Sequence, residues 1–214
     1  ALAERMAVPA SALHALPGAV DDVAGALVEP GGNALRAVLA ADVAPGERLL
    51  VLGPGTIGLL VAMLGRAAGA SVHLLGREPA SLDVAASLGF EASDLNHLPD
   101  GPWDGVVDAT NSPAMPALAV RLVEPGRRVV FIGLSTTPST VDSRDLLLGD
   151  VTAVGVLSGS PGLAGTIERY ASGAVDPRPL VAATVGLGDV ALALAGVRPA
   201  GAGPGPKVHV DPHR

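Results

Sequence analysis

Short aliphatic runs and amphipathic stretches alternate through the middle of the chain, from residue 46 to residue 186. Runs such as Leu49–Leu52 predict buried strands, and stretches with apolar residues at helical spacing, such as Ile57–Ala68, predict the helices between them. This alternation is typical of an α/β fold with a doubly wound parallel sheet. The other elements predicted here are the strands Val72–Leu75, Gly105–Val107, Arg128–Ile132 and Val151–Val156, and the helices Ser81–Leu88, Ala114–Leu122 and Leu163–Ala171.

The segments on either side of this region do not continue the alternation. Two short strand-like runs near the start each end at a proline, and a Gly/Pro/Ala-rich loop interrupts the end of the chain. We therefore predict three parts: an N-terminal segment (1–45), an α/β domain (46–186) and a C-terminal segment (187–214). The elements predicted in the flanks are the strands Arg5–Val8, Leu13–Leu16 and Val208–Val210, the helices Asp21–Leu27, Asn33–Ala41 and Asp189–Ala195, and the loop Pro199–Pro206.

Composition and charge narrow the classes of function. Hydrophobic residues make up 49% of the chain and aromatic residues 2%, so the core must be aliphatic. The net charge is -7 and Lys207 is the single lysine, which argues against a nucleic-acid partner. No apolar run reaches the roughly 20 residues that cross a bilayer, and Glu4 and Arg5 interrupt any signal peptide, so we expect a soluble cytoplasmic protein. The chain lacks cysteine, which excludes disulfides, thiolate catalysis and cysteine zinc ligands within it. Because it starts at Ala1, we expect either a processed start or a piece of a longer protein.

A glycine-rich turn follows the first strand of the α/β region. Gly53, Gly55 and Gly58 have the spacing G-x-G-x-x-G, with Thr56 and Ile57 between the last two glycines. In such a turn the first glycine permits a sharp bend, the second lets the backbone approach a pyrophosphate, and the third lets the helix pack closely. The helix N-terminus then binds the phosphates. The flanking strand and helix favour dinucleotide binding over the alternative, a glycine-rich turn without a ligand.

The end of the second predicted strand indicates which cofactor is bound. A carboxylate at this point bonds the ribose hydroxyls of NAD, but here the strand ends in Gly76 and Arg77. Because Gly76 leaves space and Arg77 offers a planar donor fork for a 2′-phosphate, NADP(H) is favoured over NAD(H). Two alternatives stay open. Glu78 can turn inwards and oppose the phosphate, and Arg77 can be a solvated loop residue.

Five blocks stand in order along the chain: RMAVPASALHALP, ALVEPGGNALRAV, VAPGERLLVLGPGTIGLLVAMLGRAAGA, WDGVVDATNSPAMPALAVRLVEPGRRVVFIGL and KVHVDP. Together they resemble the medium-chain dehydrogenase/reductase family, especially its zinc-type branch of alcohol, polyol and threonine dehydrogenases. The resemblance covers nearly the whole chain. It implies a Rossmann domain flanked by remnants of a second, GroES-like substrate domain, and hydride transfer between a nicotinamide and a small-molecule alcohol or carbonyl substrate.

The same resemblance implies roles for individual residues. The turn from Gly53 to Gly58 would bind the pyrophosphate, and Arg77 would lie at the adenosine ribose. The strand near Val154–Leu157 would be an edge strand that pairs with a second copy, so a homodimer is expected. Two further loops would lie beside the cofactor. The first contains Ala109, Thr110 and Asn111, and Asn111 replaces a glycine that is usual there. The second contains Gly133 and Leu134, which would approach the nicotinamide.

The sequence contains one candidate metal ligand that the resemblance suggests, but no complete set of metal ligands. Glu29 and Pro30 resemble a Glu-Pro element at or near the catalytic zinc of this branch, and the alternative is a glutamate at a helix end. Family members take their zinc ligands and proton relay from the upstream domain, so we expect zinc only from a missing segment or a partner chain. We interpret all five histidines as structural or exposed residues and not as metal ligands: His14, His73, His97, His209 and His213.

Two functions of different classes remain at this point. The chain can be the cofactor-binding part of an NAD(P)-dependent oxidoreductase, in which case its catalytic residues are unknown. Alternatively, it can be a dinucleotide-binding or interaction module without turnover. The sequence resemblance favours the oxidoreductase, although a fold alone does not establish an activity.

Overall fold

A computed structural model describes residues 2–214, and its centre is a six-stranded, entirely parallel sheet. The strands lie in the order β3-β2-β1-β4-β5-β6, which is the Rossmann arrangement. The α/β fold predicted from the sequence is therefore confirmed. The strands are β1 (Arg48–Leu52), β2 (Ser71–Gly76), β3 (Glu91–Asp94), β4 (Gly105–Asp108), β5 (Arg128–Phe131) and β6 (Thr152–Gly155).

Helices cover both faces of the sheet, and a small second sheet follows near the end of the chain. Among residues 2–214 no helix is long and apolar enough to span a bilayer. The helices are α1 (Asp22–Gly25), α2 (Val28–Ala41), α3 (Thr56–Ala67), α4 (Pro79–Ser87), α5 (Met115–Leu122), α6 (Ser143–Leu148), α7 (Leu163–Ala171) and α8 (Val190–Leu194). Single 3-10 turns lie at Ala10–Ala12, Ser160–Gly162, Arg178–Leu180 and Leu187–Asp189, and the second sheet pairs β7 (Val181–Gly186) with β8 (Lys207–Asp211) in parallel.

The aliphatic strands divide their side chains between two cores. Leu49 and Val51 of β1 face the helices α2, α3, α4 and α7, whereas Leu50 and Leu52 face α5 and α6. All four side chains are buried. Successive residues of a strand point to opposite faces, so a strand covered on both sides reads as a continuous aliphatic run. This burial holds the carboxyl ends of β1 and β4 side by side in the middle of the sheet.

Helix α2 begins five residues before the predicted start at Asn33, and the cause is close helix packing. Pro30 is tolerated because it lies in the first turn, where its missing N–H costs no helical hydrogen bond. Gly31 and Gly32 stay helical because a Cβ on Gly31 would meet Thr166 at 2.6 Å and one on Gly32 would meet a backbone oxygen of Gly159 at 2.5 Å. The two glycines thus let α7 and the turn before it approach α2.

Several sequence predictions are wrong or incomplete in the flanks and at the sheet edges. Arg5–Val8 and Leu13–Leu16 are exposed and form no strand in the part of the chain described. A strand needs a hydrogen-bonding neighbour, and neither run has one within residues 2–214. The prediction also missed β3, α6 and β7, since each is short and lacks a long apolar period. The helix and strand predicted near the C-terminus are present as α8 and β8.

Candidate functional site

A cleft of about 290 Å³ opens at the carboxyl ends of the central strands. It lies where β1 separates β2 from β4, the point at which the order of the strands reverses. Open α/β sheets bind ligands at this position. The cleft brings together seven of the residues predicted from the sequence, Gly53, Gly55, Gly76, Arg77, Ala109, Thr110 and Asn111, along with Pro54, Leu75, Glu78, Ser81, Leu95, Ser112 and Met115.

The glycine turn is built by two close approaches. Gly53 has a φ of 92°, which L-residues rarely adopt, and its N–H donates to the carbonyl oxygen of Leu75 at 2.8 Å. A Cβ on Gly58 would overlap the carbonyl oxygen of Gly53 and lie 3.0 Å from its carbonyl carbon. Gly58 therefore allows helix α3 to start directly against the turn. Thr56, Ile57 and Gly58 belong to the first turn of α3 and do not line the cleft.

Gly55 faces open space at the N-terminus of helix α3. It is the N-cap residue, its φ and ψ are -84° and -172°, and no side chain of residues 2–214 caps the helix. No described heavy atom lies within 4 Å of the position that a Cβ would take. The first N–H groups of a helix lack helical partners and carry partial positive charge. A diphosphate can therefore contact bare backbone here, and this open cradle fits a dinucleotide.

The end of the cleft beside β2 differs from the expectation in one respect. The space beside Gly76 is taken by Pro54, because a Cβ on Gly76 would come within 2.7 Å of the proline ring. Gly76 thus permits packing of the turn and does not open space for a phosphate. Arg77 lines the cleft with 83% of its side chain exposed, and its Nε lies 3.3 Å from a carboxylate oxygen of Glu78. Arg77 and Glu78 are thus neighbours in the cleft wall after β2, and the role of Arg77 at a 2′-phosphate stays a prediction.

The loop after β4 is organised by a residue that the sequence reading missed. Asp108 is the last residue of β4, is 3% exposed, and accepts hydrogen bonds through one carboxylate oxygen from the N–H and the hydroxyl of Thr110, at 2.9 and 2.7 Å. Burial raises the pKa of this carboxyl, and the two bonds from Thr110 oppose that rise. The signal available in the sequence was a carboxylate at the end of an otherwise aliphatic strand. Ala109 and Asn111 flank Thr110 in the cleft wall.

Gly133 and Leu134 lie just beyond the main cleft. They line a neighbouring groove with Phe131 and Ser135, and Leu134 is 85% exposed. A Cβ on Gly133 would overlap the carbonyl oxygen of Thr110 and lie 2.6 Å from its nitrogen. The loop after β5 is therefore pressed against the loop after β4.

The metal-site candidates do not converge. Glu29 lies in the first turn of α2, where its carboxylate accepts a hydrogen bond from the side chain of Asn33 at 2.8 Å. Within residues 2–214, no three His, Cys, Asp or Glu side chains are grouped so that they could hold a metal. His73 bonds Ser93 and His97 bonds Asp94, at 2.9 and 2.8 Å. The described donor set therefore does not fit a zinc ion, and a metal role for Glu29 stays a prediction.

The strand order and the glycine turn at the centre of the sheet define a Rossmann domain of the kind found in dehydrogenases. A family model described as zinc-binding dehydrogenase matches residues 56–172, which is more than half of the chain. The chain belongs to the zinc-binding dehydrogenase family, and the resemblance predicted from the sequence is confirmed.

Similar proteins and similar solved structures support this assignment. The chain is 30% identical over 200 residues to 2-dehydro-3-deoxy-L-galactonate 5-dehydrogenase from Pseudoalteromonas atlantica, covering 88% of this chain and 58% of the relative. It is also similar to an alcohol dehydrogenase from Escherichia coli CFT073 solved with NADH (TM-score 0.82, 23% identity, 88% and 59% of the two chains). A protein from Sinorhizobium meliloti 1021 solved with NADP gives a TM-score of 0.81 at 24% identity, over 92% and 61%. The chain thus spans little more than half of these proteins.

Proposed function

We propose that this chain is the cofactor-binding part of an NADP(H)-dependent alcohol dehydrogenase-type oxidoreductase. The observation that carries the proposal is the open cradle at Gly55, a helix N-terminus exposed to a cleft at the switch point of the sheet. Family membership supports the same conclusion. The nicotinamide cofactor supplies the hydride chemistry when it is bound, and the protein supplies binding and orientation.

Each part of the cleft has a role in this proposal. The backbone of Gly53 and Gly55 receives the pyrophosphate, with the N-terminus of α3 behind it. Arg77 binds the 2′-phosphate through its guanidinium. The loops that contain Thr110 and Gly133 hold the nicotinamide end, because they follow β4 and β5, which lie on the other side of β1 from β2 and Arg77. Thr110 lines the same cleft as Arg77, and Gly133 lines the neighbouring groove.

The preference for NADP(H) rests on charge. An arginine bonded to a phosphate gains about 1.5–3 kcal/mol, and exposure of Arg77 in solvent places its contribution near the lower figure. Glu78 opposes the phosphate and also competes for the guanidinium. The similar structures carry NADH in one case and NADP in another, so Arg77 of this chain is the residue that supports the preference.

The substrate in this proposal is a small-molecule alcohol or carbonyl compound, and its pocket would be completed outside the described residues. Residues 1–45 and 187–214 are proposed as the remnants of a second domain next to the α/β domain of 46–186. Zinc or a proton donor would come from a segment outside this chain or from a partner, and no step is assigned to a metal here. Binding without turnover is the alternative function.

A homodimer is the proposed assembly. Strand β6 is the last strand of the sheet within residues 2–214, and Leu157 just beyond it is 87% exposed. Pairing of two copies along Val154–Leu157 would cover this edge and satisfy its backbone groups.

The proposal is tested by titrating the full chain with NADPH and NADH and following nicotinamide fluorescence. We expect NADPH to bind about tenfold more tightly, and Arg77→Ala to bring the two affinities within about twofold of each other. Arg121→Ala, an exposed arginine on α5 away from the cleft, is the control and should keep the preference. Failure of both cofactors to bind would refute the proposal, and an unchanged ratio in Arg77→Ala would refute the role of Arg77.

Turnover is tested separately by following NADPH oxidation with a panel of aldehydes and ketones. Oxidation that depends on the added carbonyl compound supports the oxidoreductase for this chain as it stands. Tight cofactor binding without oxidation supports the binding module, or an enzyme that needs residues from elsewhere, and mixing with a candidate upstream segment distinguishes these two.

A further inference from the structure

Asp108 makes more contacts than a structural carboxylate at a strand end requires. Its side chain holds the N–H and hydroxyl of Thr110, and its backbone oxygen accepts from the N–H groups of Ile132 and Gly133 at 3.0 and 2.9 Å. Strand β4 lies between β1 and β5, and Asp108 is paired in register with Leu52 and Phe131. One buried residue therefore bonds the loop after β4 and the start of the loop after β5.

Thr110 extends this junction to the glycine turn. A Cβ on Gly53 would lie 2.8 Å from the methyl carbon of Thr110, and one on Gly133 would lie 2.6 Å from the nitrogen of Thr110. Thr110 is thus wedged between the phosphate-binding turn and the loop after β5. Its hydroxyl is committed to Asp108, so the rotamer that sets the position of the methyl group is fixed by that bond.

We propose that Asp108 is a positioning residue for the nicotinamide end of the cofactor, acting through Thr110. This inference rests on the proposed function of the cleft and adds a residue to it. The bond from Thr110 to Asp108 sets the spacing between the loop with Gly133 and the turn with Gly53. Without it, the turn keeps its shape because Gly53 is separately bonded to Leu75, and the backbone bonds from Ile132 and Gly133 to Asp108 remain. Thr110, however, is no longer held in place between the turn and the loop after β5.

The alternative is a purely structural role, in which Thr110 only satisfies a buried carboxylate. The two roles differ in which half of a ligand they affect. A structural defect lowers the free energy of unfolding and reduces the affinity for every ligand of the cleft by a similar factor. A positioning defect reduces the affinity for the complete cofactor, whereas a ligand that lacks the nicotinamide keeps its affinity.

The test compares NADPH with 2′,5′-ADP, which has the adenosine half only, by calorimetric titration of the full chain. Asp108→Ala should weaken the binding of NADPH by about tenfold or more, which is the loss expected when hydrogen bonds to a buried group are removed. The affinity for 2′,5′-ADP should change by less than about twofold. Asp108→Asn should recover most of the NADPH affinity, because its amide oxygen can accept the same two bonds from Thr110. Glu168→Ala, on the exposed face of α7, is the matched control and should change neither ligand.

Thr110→Val keeps the shape and the N–H bond to Asp108, and it removes the hydroxyl with its bond to Asp108 and the long bond that it accepts from the N–H of Ser112 (3.3 Å). It therefore remains informative if Asp108→Ala does not fold. We expect it to weaken NADPH by about threefold to tenfold relative to 2′,5′-ADP. Equal weakening of both ligands, or an unchanged ratio in Thr110→Val, overturns the positioning role. If the unmodified chain binds neither ligand, the proposed function itself fails, and that outcome is distinct from the other two.

Discussion

Gly55 and Gly58 lie three residues apart in one turn, and the structure gives alanine opposite consequences at the two positions. A Cβ on Gly58 would collide with the backbone of Gly53, which cannot rotate away as a side chain would. Overpacking of this kind costs up to about 3 kcal/mol, and the better helix propensity of alanine returns about 1 kcal/mol. Gly58→Ala should therefore lose about 2 kcal/mol, which lowers the melting temperature of a chain of this size by about 4–8 °C.

Gly55→Ala should behave in the reverse way. Its φ and ψ are open to any residue, and its Cβ would meet no described atom within 4 Å. Loss of a favourable N-cap and reduced freedom of the unfolded chain are opposing effects of about 1 kcal/mol or less, so the melting temperature should stay within about 4 °C. The new methyl group would stand where the pyrophosphate approaches the backbone, so NADPH affinity should fall by about tenfold or more.

Thermal unfolding and NADPH titration of both variants measure these two quantities directly. If Gly55→Ala binds NADPH as tightly as the unmodified chain, the phosphates lie elsewhere and the proposed cradle is wrong. If Gly58→Ala unfolds at the unmodified temperature, helix α3 does not depend on close contact with the turn.

Two further predictions concern stability away from the cleft. Tyr170→Phe removes the bond from the buried hydroxyl to the carbonyl oxygen of Leu27 (3.2 Å) and should cost about 1–2 kcal/mol, seen as a fall of about 2–8 °C in melting temperature; an unchanged value would contradict it. Burial lowers the pKa of His73 below its ordinary 6.5, an effect that Arg48 reinforces and Glu91 opposes. The unfolded chain therefore takes up this proton first, so the free energy of unfolding should fall as the pH drops below about 6.5. Urea unfolding across that range should show a smaller fall in His73→Gln, and equal falls would disprove the assignment.

The candidate site was predictable where its chemistry lies in consecutive residues. Gly53, Gly55 and Arg77 were identified because a few consecutive residues determine a turn between a strand and a helix, or the end of a strand. The structure brings these residues into one cleft. Asp108 was missed because its partners come from loops that only the sheet brings together. The space expected beside Gly76 was misjudged for the same reason, since Pro54 fills it from another strand end.

The sequence by itself determined the alternation of the longer strands and helices and the parallel type of the central sheet. Strands such as Leu49–Leu52 are buried on both faces, so their aliphatic runs are readable without knowledge of their neighbours. Tertiary structure decided the short and marginal elements. Arg5–Val8 has the composition of a strand but no partner in residues 2–214, while β7 forms because β8 returns from more than twenty residues away to pair with it. A strand is stabilised by hydrogen bonds to another segment, and no local pattern contains the information about whether that segment is there.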